Sequence, residues 1–198
     1  MREQMETQRR EGFVMSVDRR PTPEDLAAAA GSTVPDLIAP GLRVLFCGIN
    51  PGLWSGAVGH HFARPGNRFW KLLAASGFTP TVLSPHDELE LLDVGIGITN
   101  LVRRATRSAA EVTPGELRQG VLDLKRKVAH WRPRAVAVLG LDAYRTGFNS
   151  RSVTIGRQVD DIEDAQLWVV PNPSGIQAHY PFGRLVAELQ DLRAAVEG

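Results

Sequence analysis

The sequence predicts an α/β fold built on a short parallel sheet with helices on both faces. Two patterns carry that expectation. From Gly41 onward, short apolar runs alternate with longer amphipathic stretches, and strands buried on both faces by crossover helices read as such continuous apolar runs. The stretches between them carry helix punctuation: capping residues or proline at the start, glycine at the end.

Taken in order, the charged N-terminus comes first. Residues 1–17 lack a long apolar stretch, which makes them neither a signal peptide nor a membrane span, and the mixed charge predicts a loose segment. Pro23-Glu24-Asp25 opens a short helix through Leu26 and the alanines after it, stopped by Gly31. Residues 1–34 are read as an extension and 35–198 as one domain, large enough for a sizeable core. Residues 43–49 form a first strand, followed by a glycine-rich loop. Asn67 caps a helix through Phe69, Trp70, Leu72 and Leu73 that ends at Gly77. Residues 94–99 read as a second strand, which would put Asp93 at its start. Thr113-Pro114-Gly115-Glu116 is a capping box with proline at the first helical position, opening a helix to about His130. Residues 134–139 and 167–170 are the third and fourth strands, and residues 181–196 the closing helix.

Composition narrows the function classes. The chain of 198 residues is 43% hydrophobic and 23% charged, with a formal net charge of +1. Any basic surface for nucleic acid must therefore be local. Cys47 is the single cysteine, which excludes an intramolecular disulfide, a multi-thiolate zinc site and a four-cysteine cluster. A cytoplasmic location is expected.

Ligands in open α/β sheets bind beyond the carboxyl ends of the strands. Two loops fall there: Gly48-Ile49-Asn50-Pro51-Gly52 after the first strand, and Pro171-Asn172-Pro173-Ser174-Gly175 after the fourth. Proline stiffens such a loop and glycine permits close approach, so the two would make rigid walls of one pocket. Each taken singly also fits an ordinary strand-to-helix turn. Neither has phosphate-loop or dinucleotide spacing.

The first loop, followed by Phe62-Ala63, Pro65 and Asn67-Arg68-Phe69-Trp70, resembles the first active-site segment of the mismatch-specific uracil-DNA glycosylase and thymine-DNA glycosylase family. Asn172-Pro173-Ser174-Gly175 resembles its second segment. Leu37-Ile38-Ala39-Pro40-Gly41-Leu42 resembles the lead-in to the family's first strand, and Gly97-Ile98-Thr99-Asn100-Leu101-Val102 its second strand end. The resemblance spans about residues 35–196. It implies a three-layer α/β/α sandwich with a short, mainly parallel sheet, and a monofunctional, cofactor-free and metal-free glycosylase. Such an enzyme flips uracil, and to some extent thymine or another modified pyrimidine, out of mismatched double-stranded DNA. It leaves an abasic site for a downstream endonuclease. A monomer is the family default.

The resemblance also implies roles. Asn50 positions the attacking water; its amide orients without strongly deprotonating. Backbone N–H groups around Ile49 hold a base carbonyl as negative charge develops. Phe62 stacks on the base, Asn100 reads its edge, and Gly52 leaves the C5 edge without a wall. Asn172 and Ser174 support the flipped nucleotide. Ile176, between Gly175 and Gln177, is the wedge that fills the vacated stack. This chain has Gln177 and Ala178 where the family has serine and arginine, which puts strict reading of an opposite guanine in question.

Other residues stay open. Arg103, Arg104 and Arg107, like Arg64 and Arg68, fit phosphate contacts or a solvated basic surface equally well. His60-His61 reads as loop residues rather than a metal pair. Asp93 is an alternative base only if it lies near the strand ends. Asp160-Asp161 is the acidic pair a nucleotide hydrolase on this plan would need, without a phosphate motif beside it. A non-catalytic mismatch-binding module on the same fold is the main alternative function.

Overall fold

The computed structural model describes residues 20–174 and 180–197. Seven α-helices among these residues are α1 (Pro23–Ala28), α2 (Leu53–Val58), α3 (Phe69–Ala75), α4 (Glu90–Asp93), α5 (Pro114–Trp131), α6 (Leu141–Gly147) and α7 (Phe182–Glu197). Strands β1 (Val44–Gly48), β2 (Ile96–Asn100), β3 (Ala135–Leu139) and β5 (Gln166–Val170) run parallel, and β4 (Gly156–Arg157) pairs antiparallel with β5. The sheet order is β2-β1-β3-β5-β4. This is the mainly parallel, helix-covered sheet that the apolar runs predict. No helix of the described residues is long and apolar enough to cross a membrane.

Alternation along each strand divides the core between two faces, because successive side chains point to opposite sides. Val44, Phe46, Ile96, Ile98, Ala135 and Ala137 pack with Phe69, Leu73, Leu185, Leu189 and Leu192 of α3 and α7. Leu45, Cys47, Val136, Val138, Leu167 and Val169 pack with Leu117, Val121, Leu124 and Val128 of α5 and Ala143 and Tyr144 of α6. The Thr113 capping box that opens α5 is formed in full, an arrangement that contributes about 1 kcal/mol. Asn67 Oδ1 accepts from Phe69 N–H at 3.0 Å at the start of α3.

Three sequence expectations need correction. The second strand is Ile96–Asn100 rather than 94–99. Helix α4 runs through Asp93, Val94 is its C-cap, and Gly95 turns the chain at φ 68°. Arg43 fixes that turn by donating to Val94 O from Nε at 3.0 Å and Nη2 at 2.6 Å. The glycine-rich loop after β1 contains α2, which is N-capped by Gly52 and C-capped by Gly59 in the left-handed region. Short α6 and the two-residue edge strand β4 have too little periodicity to stand out in sequence.

The segment before β1 is tied to the domain. Gly31 N–H donates to Ala105 O at 2.9 Å, and Ala105 N–H to Ser32 O at 2.7 Å. Leu37 and Ile98 exchange two hydrogen bonds of 2.8 Å. A polar cluster anchors β2 below its last residue: Lys127 Nζ lies 2.6 Å from Asp36 Oδ2 and donates to Thr99 Oγ1 at 2.8 Å, and Thr99 Oγ1 donates to Asp36 Oδ1 at 2.7 Å.

Candidate active site

Parallel register puts Gly48 of β1 beside Asn100 of β2 at the carboxyl edge of the sheet. Two strands away, Val170 closes β5 at the same edge. Both signature loops therefore leave from one edge. The chain after the first loop reaches the second: Arg68 N–H and Nε donate to Pro173 O at 3.4 and 3.3 Å, and Arg68 Nη1 donates to Tyr180 O at 3.1 Å.

The first loop is held rigidly by the chain after β2. Gly48 O and Ile49 O accept from Leu101 and Val102 N–H at 2.9 Å each, and Pro51 O accepts from Thr106 N–H at 3.1 Å. With those carbonyls engaged, Asn50 is locked by its own amide. Nδ2 lies 2.7 Å from Thr106 Oγ1, 3.1 Å from Arg104 O and 3.1 Å from Pro51 O. Carbonyl oxygens only accept, so the NH2 group must face them. Oδ1 is thereby turned away from this clamp. Thr106 Oγ1 passes its proton to Ser108 O at 2.8 Å, which leaves its lone pairs for Asn50.

Asn100 is buried across β1. A Cβ on Gly48 would come within 2.5 Å of Asn100 Oδ1 and 3.4 Å of Phe62 Cζ. Glycine at 48 leaves the room these two side chains occupy over the strand. Phe62 stacks on Phe69 with ring centroids 4.1 Å apart and an interplanar angle of 26°. Its backbone has φ 51°, a costly conformation for a bulky residue that neighbours must enforce. Gly52 sits at φ −75°, ψ 163° with no atom within 4 Å of a Cβ placed on it, so the space beside it is open. Asn172 Oδ1 accepts from Ser174 N–H at 2.9 Å. That bond commits its carbonyl to the turn and leaves the amide nitrogen outside it. Gly175, Ile176 and Gln177, together with Ala178 and His179, lie outside the described residues.

Several open residues now have places. Arg104 is no free phosphate contact: it donates to Glu116 from Nε at 2.6 Å and Nη2 at 3.0 Å, and to Glu111 O at 2.9 Å. Arg104 holds the Glu116 carboxyl at about 2, with help from Thr113. Arg68 donates from Nε and Nη1 to backbone carbonyls while its Nη2 is buried without a hydrogen-bond partner, whereas Arg64, Arg103 and Arg107 are exposed. Asp93 is exposed at the end of α4. From there, β2 alone spans roughly 13 Å to Asn100, so Asp93 is at the wrong end of the strand to serve as a base. Asp161 pairs with Arg157 beside the antiparallel edge strand. Burial pushes the Cys47 thiol up to about 12, which makes it inert as a nucleophile.

The sequence reading missed Thr106, Ser55 and Glu88. Ser55 Oγ accepts from Ala63 N–H at 3.1 Å. Glu88 is fully buried and bonded to the His60-His61 turn. Thr106 and Glu88 act from loops on partners 56 and 27 residues away, and Ser55 acts from the short helix α2 on a loop eight residues on, so no periodicity marks any of them.

The profile of the uracil DNA glycosylase superfamily matches residues 35–193, which include both loops, Phe62 and Asn100. The chain belongs to that superfamily. Uracil DNA glycosylase superfamily members are DNA glycosylases, hydrolases of N-glycosyl bonds, and act on DNA. The fold agrees with a solved structure, the solution NMR structure of a candidate uracil DNA glycosylase from Methanosarcina acetivorans. The TM-score is 0.51 at 15% sequence identity, covering 82% of this chain and 98% of that one. The glycosylase superfamily assignment thus rests on the sequence profile, and the structural neighbour supports the architecture.

Proposed function

We propose that the protein is a monofunctional glycosylase of the mismatch-specific uracil and thymine type. It flips uracil, and to some extent thymine or another modified pyrimidine, from mismatched duplex DNA and hydrolyses the bond from base nitrogen to C1′. The observation that carries this reading is the clamp on Asn50. Its NH2 group is fixed by Thr106 Oγ1 and Arg104 O, which orients Oδ1 as an acceptor for one water. An amide acceptor suits a dissociative reaction. The C1′–N bond breaks with its electron pair going to the base, and water then adds to the cationic sugar and releases a proton.

Around that point the remaining residues take the roles the motif implies. Backbone N–H groups at Ile49 stabilise the departing base anion. Phe62, backed on one face by Phe69, offers its other face to the base, and the Asn100 amide meets the base edge. Gly52 leaves room at C5. The Asn172 amide and Ser174 contact the flipped nucleotide, and Ile176, with Gly175 and Gln177, enters the stack. The partner is double-stranded DNA, with the protein acting as a cytoplasmic monomer ahead of an abasic-site endonuclease.

The test is a duplex with one U·G pair, treated with protein and then with alkali. Wild type yields the short strand and Asn50→Ala yields much less. Activity that survives in Asn50→Ala would move the water to another residue. If U·G, T·G and single-stranded uracil all stay intact at stoichiometric protein, excision is wrong and a non-catalytic mismatch-binding module takes its place.

A further inference from the structure

We propose that Glu88 is a positioning residue for the base pocket: its buried carboxylate fixes the His60-His61 turn, which sets the backbone of Phe62 and the amide of Asn100. The proposal rests on the excision reading for what the pocket does, but its structural core can be tested separately.

Glu88 lies between the 3₁₀ turn Pro85–Asp87 and α4, with none of its surface exposed. A carboxylate out of water is costly unless partners compensate it. Here the partners come from the loop that carries the stacking ring. Glu88 Oε2 accepts from His61 N–H at 2.9 Å, and Oε1 lies 2.9 Å from His60 Nδ1. The next residue is Phe62, held at φ 51°. On its far side, Ala63 N–H is anchored to Ser55 Oγ at 3.1 Å. The strained residue is thus gripped by a side chain before it and another after it, as a left-handed backbone at a bulky residue requires.

The same turn controls Asn100. His61 Nε2 lies 2.9 Å from Pro35 O. A carbonyl only accepts, so Nε2 carries the proton, and in the neutral ring Nδ1 is an acceptor. Nδ1 faces Asn100 Nδ2 at 3.5 Å, the polarity that turns the Asn100 NH2 group toward His61 and its Oδ1 over Gly48. One buried carboxylate therefore orients two groups of the pocket without touching the base.

The test compares Glu88→Gln and Glu88→Ala with wild type. Glutamine keeps an acceptor for His61 N–H and offers a donor to a neutral His60 Nδ1, so it should restore most of the brace. Misplacing pocket groups by about 1 Å predicts a fall of roughly ten- to a hundredfold in single-turnover uracil excision for Glu88→Ala, with substantial recovery in Glu88→Gln. Binding to a duplex with an abasic-site analogue should stay within about twofold, because phosphate contacts dominate it. Separately, long-range ¹H–¹⁵N spectra of the histidine rings should show the Nε2–H form of His61 in wild type and its loss or averaging in Glu88→Ala.

The proposal is overturned if Glu88→Ala cuts at the wild-type rate, if excision and abasic binding fall together, if Glu88→Gln is no better than Glu88→Ala, or if the His61 signals do not change. Should wild type itself fail to cut U·G, the excision reading falls. The histidine spectra then decide the brace by themselves: altered signals in Glu88→Ala support it and unaltered signals refute it.

Discussion

Asn50 and Thr106 are joined by a 2.7 Å hydrogen bond from Nδ2 to Oγ1, across 56 residues of sequence. Thr106 is buried, and its own proton goes to Ser108 O. Thr106→Val keeps the shape and removes the acceptor. Arg104 O and Pro51 O still receive Nδ2, so Asn50 is loosened rather than freed. Losing one such bond is worth about 1–2 kcal/mol, roughly tenfold in the excision step. Single-turnover excision of uracil should fall by that factor while binding to an abasic duplex is retained. An unchanged rate would mean that the Thr106 bond does not hold the working orientation of Asn50.

Arg68 joins the two halves of the site through Pro173 O and Tyr180 O. Were it a phosphate contact, Arg68→Met would lower the slope of log affinity against log salt by about one. Because Nε and Nη1 bond carbonyls inside the fold and Nη2 is buried, the slope should stay the same and the loss should appear in stability. Thermal unfolding should shift downward by several degrees, on the order of 2–4 °C for each kcal/mol lost. A reduced salt slope with unchanged melting would return Arg68 to the DNA surface.

Gly52 is open to substitution on steric grounds. Its extended backbone suits any residue, and a Cβ there meets nothing within 4 Å. Gly52→Tyr should therefore fold normally and place a ring in the space beside the loop. If that space receives the C5 edge of the base, the preference for U·G over T·G should rise by roughly tenfold or more, the scale set by a methyl group in a tight pocket. Equal losses on both substrates would place C5 elsewhere.

How much of this was legible in the sequence depended on distance along the chain. The strands were readable because both faces are buried, which makes runs such as 135–139 wholly apolar. The Thr113 box was readable because its partners are three residues apart. The two loops stood out through Asn, Pro and Gly, whose turn chemistry is local, and the structure brings both to one edge of the sheet. By contrast, the Asn50 clamp, the Arg68 tie and the Glu88 brace join residues 27 to 112 positions apart. Arg68 and Arg104 illustrate the cost: exposed and half-buried arginines look alike in sequence, and only packing decides which ones turn donors into the fold. The place of Asp93 turned on a strand boundary: the second strand starts two residues later than read, at Ile96, which leaves Asp93 at a helix-to-strand junction, exposed and away from the strand ends.

The pair formed by Arg104 and Glu116 gives the fold a defined acid sensitivity. Hydrogen bonds from the Arg104 guanidinium, then from Thr113, pull the Glu116 carboxyl from 4.5 down to about 2. A carboxyl whose value is depressed on folding binds its proton more weakly in the folded state. Its stabilisation is complete above the unfolded value and fades as pH falls from about 4.5 toward about 2. Glu116→Gln should therefore be less stable than wild type near neutral pH, and the difference should close through that interval. Urea unfolding of both proteins at several pH values measures it, and salt should shrink the gap because the pair is partly open to solvent. The readout also bears on the site, since Arg104 presents its carbonyl to Asn50 Nδ2 at 3.1 Å. A gap that is independent of pH would show that folding does not depress the Glu116 carboxyl.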